Sequence, residues 1–203
     1  MKKVLILLAL LIVSMHSYGE SNFVRVPLAK GASIEVPKNW VVISQNNRVN
    51  IDAYVEAKGY KLTESNLAFA ANLYDDNGKT VALVNARFYP ENPFTQQMTS
   101  SLRTEDLAVI DKEMQSTTVK TLIGIGGKLE QWKPTEVKKI NGLYIIKNEQ
   151  IAKFPPTNEA NREHKYRVWA SPRSFTITIG YKQSVENLLE PIVAKMGSSI
   201  KLE

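Results

Sequence analysis

Cysteine is absent from the 203 residues of this chain. That absence excludes disulfides, thiolate nucleophiles, redox pairs and zinc sites with cysteine ligands, and also the acylated cysteine that anchors a bacterial lipoprotein. Small exported domains often use disulfides to compensate for a thin hydrophobic core. An exported protein with this composition must therefore hold its fold by packing alone.

Histidine and catalytic motifs are also scarce. Only His16 and His164 occur, and no Gly-x-Ser-x-Gly elbow, metalloprotease helix or deaminase signature is present. A lone histidine needs a carboxylate partner to act as a general base, so the sequence favours His164 as a non-catalytic residue at the edge of a loop. Carboxylate catalysis stays open, because paired acids are recognised by their spacing in three dimensions.

The one long apolar run lies at the start of the chain. Lys2 and Lys3 precede the run Val4 to Val13, and Ser17-Tyr18-Gly19 offers small residues before a cut ahead of Glu20. This order predicts a secretory signal peptide over residues 1–19. An uncleaved anchor is the alternative, but the run is shorter than the roughly 20 residues that cross a bilayer. We expect a periplasmic protein, with release to the medium as the alternative.

Residues 20–203 are expected to form one domain. Cleavage leaves 184 residues, enough to bury a core, and it removes two of the 26 basic residues and none of the 20 acids, so the net charge becomes +4. Lysine and arginine are interspersed with acids rather than clustered, which argues against a nucleic-acid binder. No membrane span, cofactor or metal is indicated for this part.

The first half of the domain reads mainly as strands. Val24 to Pro37 is extended, and Trp40 to Ile43 is predicted to be a buried strand. The runs Leu67 to Tyr74 and Thr80 to Tyr89 flank Asp75-Asp76-Asn77-Gly78, which predicts a β-hairpin because an Asn-Gly pair tolerates the positive φ of tight turns. The mixed segment Asn46 to Ser65 receives no assignment.

The hydrophobic period changes to that of a helix over Thr104 to Lys120. Leu107, Ile110 and Met114 recur at steps of three and four, Thr104 can cap, and acids follow it in the first turn. The glycines at 124, 126 and 127 are expected to end this helix.

The second half predicts two more strand pairs and a terminal helix. Asn141-Gly142 joins Val137–Ile140 to Leu143–Ile146 as a hairpin; a loop then covers Thr157–Glu163, and strands follow at Lys165–Ala170 and Phe175–Tyr181. Apolar residues from Val185 to Ile200 trace one helical face, with Ser184 as a possible N-cap and Pro191 as a source of a kink or a late start.

This order of elements resembles the family that joins PsbP, the extrinsic photosystem subunit, with the Ran-binding Mog proteins and bacterial envelope proteins such as DcrB. The matching residues are Ile34-Glu35-Val36-Pro37-Lys38-Asn39-Trp40, Glu105-Asp106-Leu107-Ala108-Val109, the Asn141-Gly142 hairpin and Ser198-Ser199-Ile200. The resemblance spans about residues 23–202 in element order. It implies an α+β fold, a single-domain antiparallel β-sheet flanked by α-helices (an α/β/α sandwich), and an accessory or binding role, although a fold does not transfer a partner.

Two turn-forming segments could also hold ligands. Asp75, Asp76 and Asn77 offer oxygens to Ca²⁺, but the spaced acids and terminal Glu of a calcium loop are missing. Gly124-Ile125-Gly126-Gly127 could cradle phosphate, but Lys128 precedes Leu129 rather than Ser or Thr, and the helix comes before the glycines. Turn formation and helix termination explain both segments better.

A basic, aromatic strand is the best candidate for a binding site. Lys165, Arg167 and Trp169 share one face of a predicted strand, and Arg173 follows closely. If Trp169 is exposed, this is a surface of the kind enriched at protein interfaces. The alternative is a Trp169 buried beneath a helix with solvated charges around it.

The leading hypothesis is a non-enzymatic, exported accessory protein that binds another envelope protein at Lys165, Arg167, Trp169 and Arg173. A small envelope hydrolase that uses carboxylates and His164 is the second hypothesis. A binder of a small ligand or of anionic lipid is the third.

Overall fold

A computed structural model describes residues 22–49, 66–155 and 159–203. The predicted signal peptide lies outside these ranges. Within them the strands are β1 Phe23–Pro27, β2 Ala32–Pro37, β3 Val41–Val42, β4 Asn66–Tyr74, β5 Thr80–Phe88, β6 Lys128–Ile140, β7 Leu143–Phe154, β8 Glu159–Val168, β9 Phe175–Lys182 and β10 Lys201–Leu202. The helices that can be followed to both ends are α1 Gln96–Ser100, α2 Thr104–Gly124 and α3 Glu186–Ser198, and a 3₁₀ turn at Gln183–Val185 precedes α3.

Seven strands form one antiparallel sheet in the order β3-β4-β5-β9-β8-β7-β6. The strands β1, β2 and β10 form a separate three-stranded antiparallel sheet. Strand β10, the last strand, therefore lies beside β2, with Lys201 opposite Ser33 and Leu202 opposite Ala32.

The main hydrophobic core lies between one face of the large sheet and helix α3. Side chains alternate across a strand, so Phe175, Ile177, Ile179 and Tyr181 of β9 point to the same face, and all four are 1% exposed or less. Helix α3 adds Leu189, Val193 and Met196 from its apolar stripe, and the small sheet adds Ile34 and Val36. This core confirms the predicted burial of one face of Phe175–Tyr181 and of most of the apolar face of the terminal helix, but Leu188 of that predicted face is 74% exposed.

Helix α2 crosses the opposite face of the sheet near β6. Its Asp111 carboxylate Oδ1 accepts hydrogen bonds from the Trp132 indole Nε1 at 2.9 Å and from the Thr135 backbone N at 2.6 Å. Burial raises the pKa of Asp111, but these hydrogen bonds outweigh burial and hold the pKa below its usual range. The helix is thus fixed to the sheet by a charged, hydrogen-bonded contact.

Both predicted Asn-Gly hairpins are confirmed. Gly78 has φ of +72° at the β4–β5 turn, while Asn141 and Gly142 have φ of +49° and +83° at the β6–β7 turn. The core-facing residues Ala82, Val84, Ala86 and Phe88 of β5 are 1–4% exposed. An α+β fold with an antiparallel sheet and helices on both faces is therefore confirmed in the described ranges.

The buried strand predicted over Trp40 to Ile43 is wrong in extent and exposure. Only Val41–Val42 pair with β4, and they are 55% and 56% exposed, whereas Trp40 is buried. The strand lies at the sheet edge, where apolar β-branched residues pair on one side only. Part of the unassigned segment is helical, at residues 45–49, and its residues 50–65 lie outside the described ranges.

The loop predicted over Thr157 to Glu163 is wrong from residue 159 onward, because β8 begins at Glu159. Polar residues there pair with β7 and β9 on both sides, as in Ile151↔Arg162↔Tyr181. These residues are polar because they form half-buried ion pairs on the sheet, not because they lie in a solvent-exposed loop. Amino-acid composition does not distinguish the two cases.

Helix boundaries also differ from the prediction. Helix α2 runs past Lys120 to Gly124, as the glycine cluster indicated, and Gly126 has φ of +76° just beyond it. Its N-cap is Arg103 rather than Thr104, and the Asp106 carboxylate accepts from the Arg103 backbone N at 3.0 Å. Ser184 does not cap α3, because its hydroxyl donates to Glu159 at 3.1 Å.

Across the described ranges, no helix combines the length and the apolar character needed to cross a membrane.

Candidate functional site

A groove opens where helix α2 stands over strands β7 and β8. It encloses about 490 Å³, and we call it the α2 groove. Its wall is the face of α2 that carries Glu113, Met114, Thr117, Thr118, Thr121, Leu122 and Ile125, and its floor is formed by Gln150, Phe154, Glu163, Lys165 and Arg167. The strand alternation that the sequence shows for Lys165 and Arg167 places both on this floor.

Lys165 is neutralised within the floor. Its Nζ lies 3.3 Å from the Glu163 carboxylate, which also accepts a hydrogen bond from Gln150 Nε2 at 2.7 Å. The Gln150 residue is 2% exposed, and its Oε1 has no hydrogen-bond partner within the described residues. A buried acceptor without a donor is costly to the fold, and this oxygen has no surface open to the groove.

Arg167 carries the charge that the floor does not balance. Its Nη1 donates to Asn148 Oδ1, and no carboxylate in the described ranges forms an ion pair with it. Burial lowers the pKa of Arg167 to about 10, and the guanidinium is therefore still charged at neutral pH. A largely desolvated cation held only by a neutral amide favours an anion as its partner.

Trp169 lies just beyond the end of β8 and is half-buried. Its ring stacks on Phe94 with centroids 4.5 Å apart and planes 22° from parallel, and Phe94 is 39% exposed. Gln96 of α1 holds this end of the strand, because its Nε2 donates to the Trp169 carbonyl at 2.9 Å. Trp169 is thus neither freely exposed nor deeply buried.

Arg173 lies apart from the groove. It is exposed, follows the turn at Ser171-Pro172, and its Nη1 donates to the backbone carbonyl of Glu203. Of the four predicted binding residues, the structure brings two into the α2 groove, places Trp169 beyond the end of their strand and directs Arg173 to the end of the chain.

His164 occupies a different environment from the predicted loop edge. It lies in the middle of β8 on the α3 face and is 2% exposed. Its Nε2 lies 3.3 Å from Glu190 Oε2 and 3.5 Å from the Tyr181 hydroxyl, and its Nδ1 lies 3.7 Å from Glu149 Oε2. The histidine is therefore a core residue between two carboxylates.

Ion pairs complete this cluster around His164. The Glu149 carboxylate contacts Lys133 Nζ at 2.7 Å and also the Arg162 guanidinium, whose Nη2 lies 2.9 Å from Glu186. Burial raises the pKa of Glu149, but the hydrogen bonds from Lys133 and Arg162 and the charge of His164 outweigh it and lower that pKa. Burial lowers the pKa of His164, despite the opposing attraction of Glu190 and Glu149.

The two turn segments behave as structural elements. Asp75 Oδ1 accepts from the backbone N of Asn77 at 2.9 Å and of Lys79 at 2.8 Å, so this carboxylate holds its own turn. Gly127 donates to the Leu122 carbonyl at 2.7 Å and thereby closes the end of α2. No group of three potential metal ligands occurs among the residues that the structure describes.

The architecture is a PsbP-like α+β fold. The solution structure of cyanobacterial PsbP (CyanoP) from Synechocystis sp. PCC 6803 matches with a TM-score of 0.51 and 9% identity, over 91% of this chain and 95% of that one. A crystal structure from Bacteroides thetaiotaomicron VPI-5482 matches with a TM-score of 0.41 and 9% identity, over 90% of this chain and 48% of that one. No family model and no curated protein matches the sequence. At such identity the likeness concerns the fold.

The sequence predicts helix α2 but neither its position over β7 and β8 nor the acid that neutralises Lys165. The alternation Glu163, Lys165, Arg167 was available in the sequence as one strand face, but the segment before Lys165 had been read as a loop. The spacing of Met114 predicts only the helix, and the structure places this residue on the groove wall. Gln150 gave no signal, because a single polar residue in a buried strand has no pattern of its own.

Proposed function

We propose that this chain is an exported, non-catalytic accessory protein of the bacterial envelope that binds another protein through the α2 groove and the adjoining Trp169. The observation that carries the proposal is the convergence of Lys165 and the unbalanced Arg167 on the floor of one open groove. Arginine and tryptophan are enriched where protein interfaces are energetically strongest. The short basic strand is thus a better binding candidate than the evenly charged remainder of the surface.

Export is supported by the first 19 residues, which have the charge, apolar core and small residues of a signal peptide. The absence of cysteine also rules out a lipoprotein anchor. The PsbP-like fold supports an accessory role, since known members of that family act mainly as accessory or binding proteins. The partner itself must come from experiment.

Crosslinking in intact cells tests the proposed surface. The wild-type chain should capture a reproducible envelope partner, and the triple variant Lys165→Ala, Arg167→Ala, Trp169→Ala should reduce that capture at least about tenfold, the effect of losing about 1.4 kcal/mol of binding. Arg173→Ala is the matched control, because this exposed arginine lies outside the groove. Capture that is unchanged in the folded triple variant contradicts the proposed surface.

A hydrolase that uses His164 is the second candidate, and the proximity of its Nε2 to Glu190 favours it. A general base must reach the substrate, however, and only 2% of His164 is exposed. We therefore expect no hydrolysis of ester, amide or glycoside model substrates that is lost in His164→Gln. Turnover that disappears in this variant, or in Glu190→Gln, would establish the enzyme instead.

A further inference from the structure

Charged side chains of both signs line the α2 groove, Glu113 and Glu163 against Lys165 and Arg167, so its preference for an anion is local to Arg167. Lys165 already pairs with Glu163, whereas the Arg167 guanidinium has the amide of Asn148 and the Tyr89 side chain near it and no carboxylate partner among the described residues. An incoming carboxylate would restore the pairing that a desolvated guanidinium requires, and the planar fork of arginine matches a carboxylate geometrically. The groove is therefore suited to a single negative group at the Arg167 end.

The remainder of the groove is partly apolar. Met114 and Ile125 line the helix wall, and Phe154 lies at the edge of the floor. An aliphatic side chain placed there would remove apolar surface from water. The enclosed volume of about 490 Å³ lies within the range of sites that hold small ligands or short peptide segments.

Polar groups between these regions distinguish a peptide from a fatty acid. The hydroxyls of Thr117 and Thr118 line the same groove beside the carboxylate of Glu163, which already contacts Lys165 and accepts from Gln150. A hydrocarbon chain would cover the two threonine hydroxyls without bonding to them. A peptide backbone supplies N–H donors and C=O acceptors along its length, as in other sites that capture chain termini.

We propose that the α2 groove binds the carboxyl-terminal end of a polypeptide, with its carboxylate on Arg167, its last amide near Glu163 and the threonines, and an aliphatic side chain against Met114, Ile125 and Phe154. This assignment rests on the proposed function and specifies the part of the partner that is recognised.

Binding of a minimal chain end tests the proposal. The probe is N-acetyl-alanyl-leucine, titrated into the ¹⁵N-labelled protein while backbone amide shifts are recorded by NMR. A ligand of this size should bind with a dissociation constant on the order of 1 mM. The largest shifts are expected at Gln150, Lys165 and Arg167.

Two altered ligands, tested on the wild-type protein, separate the contribution of the carboxylate to binding from that of the peptide amide. The C-terminal amide of the same dipeptide lacks the charge and should bind at least about tenfold more weakly, because a charge-assisted hydrogen bond is lost. Octanoate keeps the carboxylate and the apolar chain but has no amide, and it should also bind more weakly. Equal binding of the amide, or binding of octanoate as tight as that of the dipeptide, overturns the proposal.

Arg167→Gln should abolish saturable binding of the dipeptide, while Arg173→Gln, the same change at an exposed arginine outside the groove, should leave it unchanged. The comparison of the dipeptide with its C-terminal amide uses the wild-type protein, so it tests the proposal even where Arg167→Gln does not fold. No shift at the groove with N-acetyl-alanyl-leucine overturns the peptide assignment, whereas loss of partner capture in cells is measured separately and tests the proposed function itself.

Discussion

At the scale of single residues, His164 combines a titratable ring with nearly complete burial. The groups that face it are Glu149, Glu190, Tyr181, Lys147 and Arg162. Burial lowers its pKa most strongly, and the two cations lower it further, while the two carboxylates oppose the shift. The folded protein therefore prefers the neutral ring.

This preference predicts a dependence of stability on pH. The unfolded chain takes up a proton on His164 near pH 6.5, whereas the folded chain does so only at lower pH, so stability contributed by the neutral ring is lost as pH falls below about 6.5. The slope from this one group cannot exceed about 1.4 kcal/mol per pH unit. Urea unfolding of the wild type and of His164→Gln is measured between about pH 7.5 and about pH 5.5. The unfolding free energy should fall toward low pH in the wild type only. If the unfolding free energies of the two proteins depend on pH in the same way, this prediction is wrong.

Gln96 is a second residue whose contacts predict a measurable effect. Its amide donates to the carbonyls of Tyr144 and Trp169 at 3.0 and 2.9 Å, and its Oε1 accepts from the Tyr144 backbone N at 2.7 Å. Gln96→Ala leaves these backbone groups without partners and should cost about 2 kcal/mol of unfolding free energy. Gln97→Ala is the matched control, because the adjacent side chain is exposed and its loss should cost less than about 0.5 kcal/mol. Equal effects on the urea midpoint would refute this role.

At the scale of elements, the sequence predicts best where local chemistry alone decides the structure. The Asn141-Gly142 hairpin follows from positive φ angles that few other residues tolerate, and the alternation from Phe175 to Tyr181 follows from one buried face. The start of β8 is different: Arg162 is half-buried and contacts Glu149 and Glu186, which are distant in sequence. The α2 groove depends in the same way on the long-range contact of Asp111 with β6.

The contact between helix α3 and strand β8 depends on a glycine. A Cβ built on Gly197 would lie 2.2 Å from the Tyr166 hydroxyl oxygen and 2.4 Å from its Cζ, and Tyr166 is only 4% exposed. The helix can therefore lie this close to the sheet only without a side chain at residue 197. Gly197→Ala gains about 1 kcal/mol of helix propensity but overpacks the core, which costs roughly 1–3 kcal/mol.

We expect Gly197→Ala to lower the unfolding free energy by about 1 kcal/mol in net. In a protein that already carries Tyr166→Ala, the same change should no longer have this cost. A double-mutant cycle measured by urea unfolding should therefore give a coupling energy above about 1 kcal/mol. Asn187→Ala, on the exposed side of the same helix, is the control and should be nearly neutral. If the effects of the two core variants are additive, the helix accommodates a side chain at residue 197 without losing unfolding free energy, which would contradict the prediction.

At the scale of the whole molecule, two faces of one sheet serve different purposes. The α3 face buries a continuous apolar core together with His164, whose charged neighbours reach the surface at Glu186 and Glu190. The α2 face is only partly covered and keeps charged side chains in an open groove. The second face is therefore the one on which a binding function can vary without loss of the core.

The location of the protein is the last prediction, and it rests on residues 1–19. Expression of the full chain in a bacterial host should give a periplasmic product that begins at Glu20, because signal peptidase cuts after small residues such as Ser17 and Gly19. Amino-terminal sequencing of that product measures the cut directly. Leu8→Arg interrupts the apolar run and should retain the uncut chain in the cytoplasm, whereas Leu28→Arg, beyond the cut, should not impair export. If the wild-type chain stays uncut in the cytoplasm, the proposed envelope partner has to be abandoned, while the carboxylate preference of the α2 groove remains testable on the purified protein.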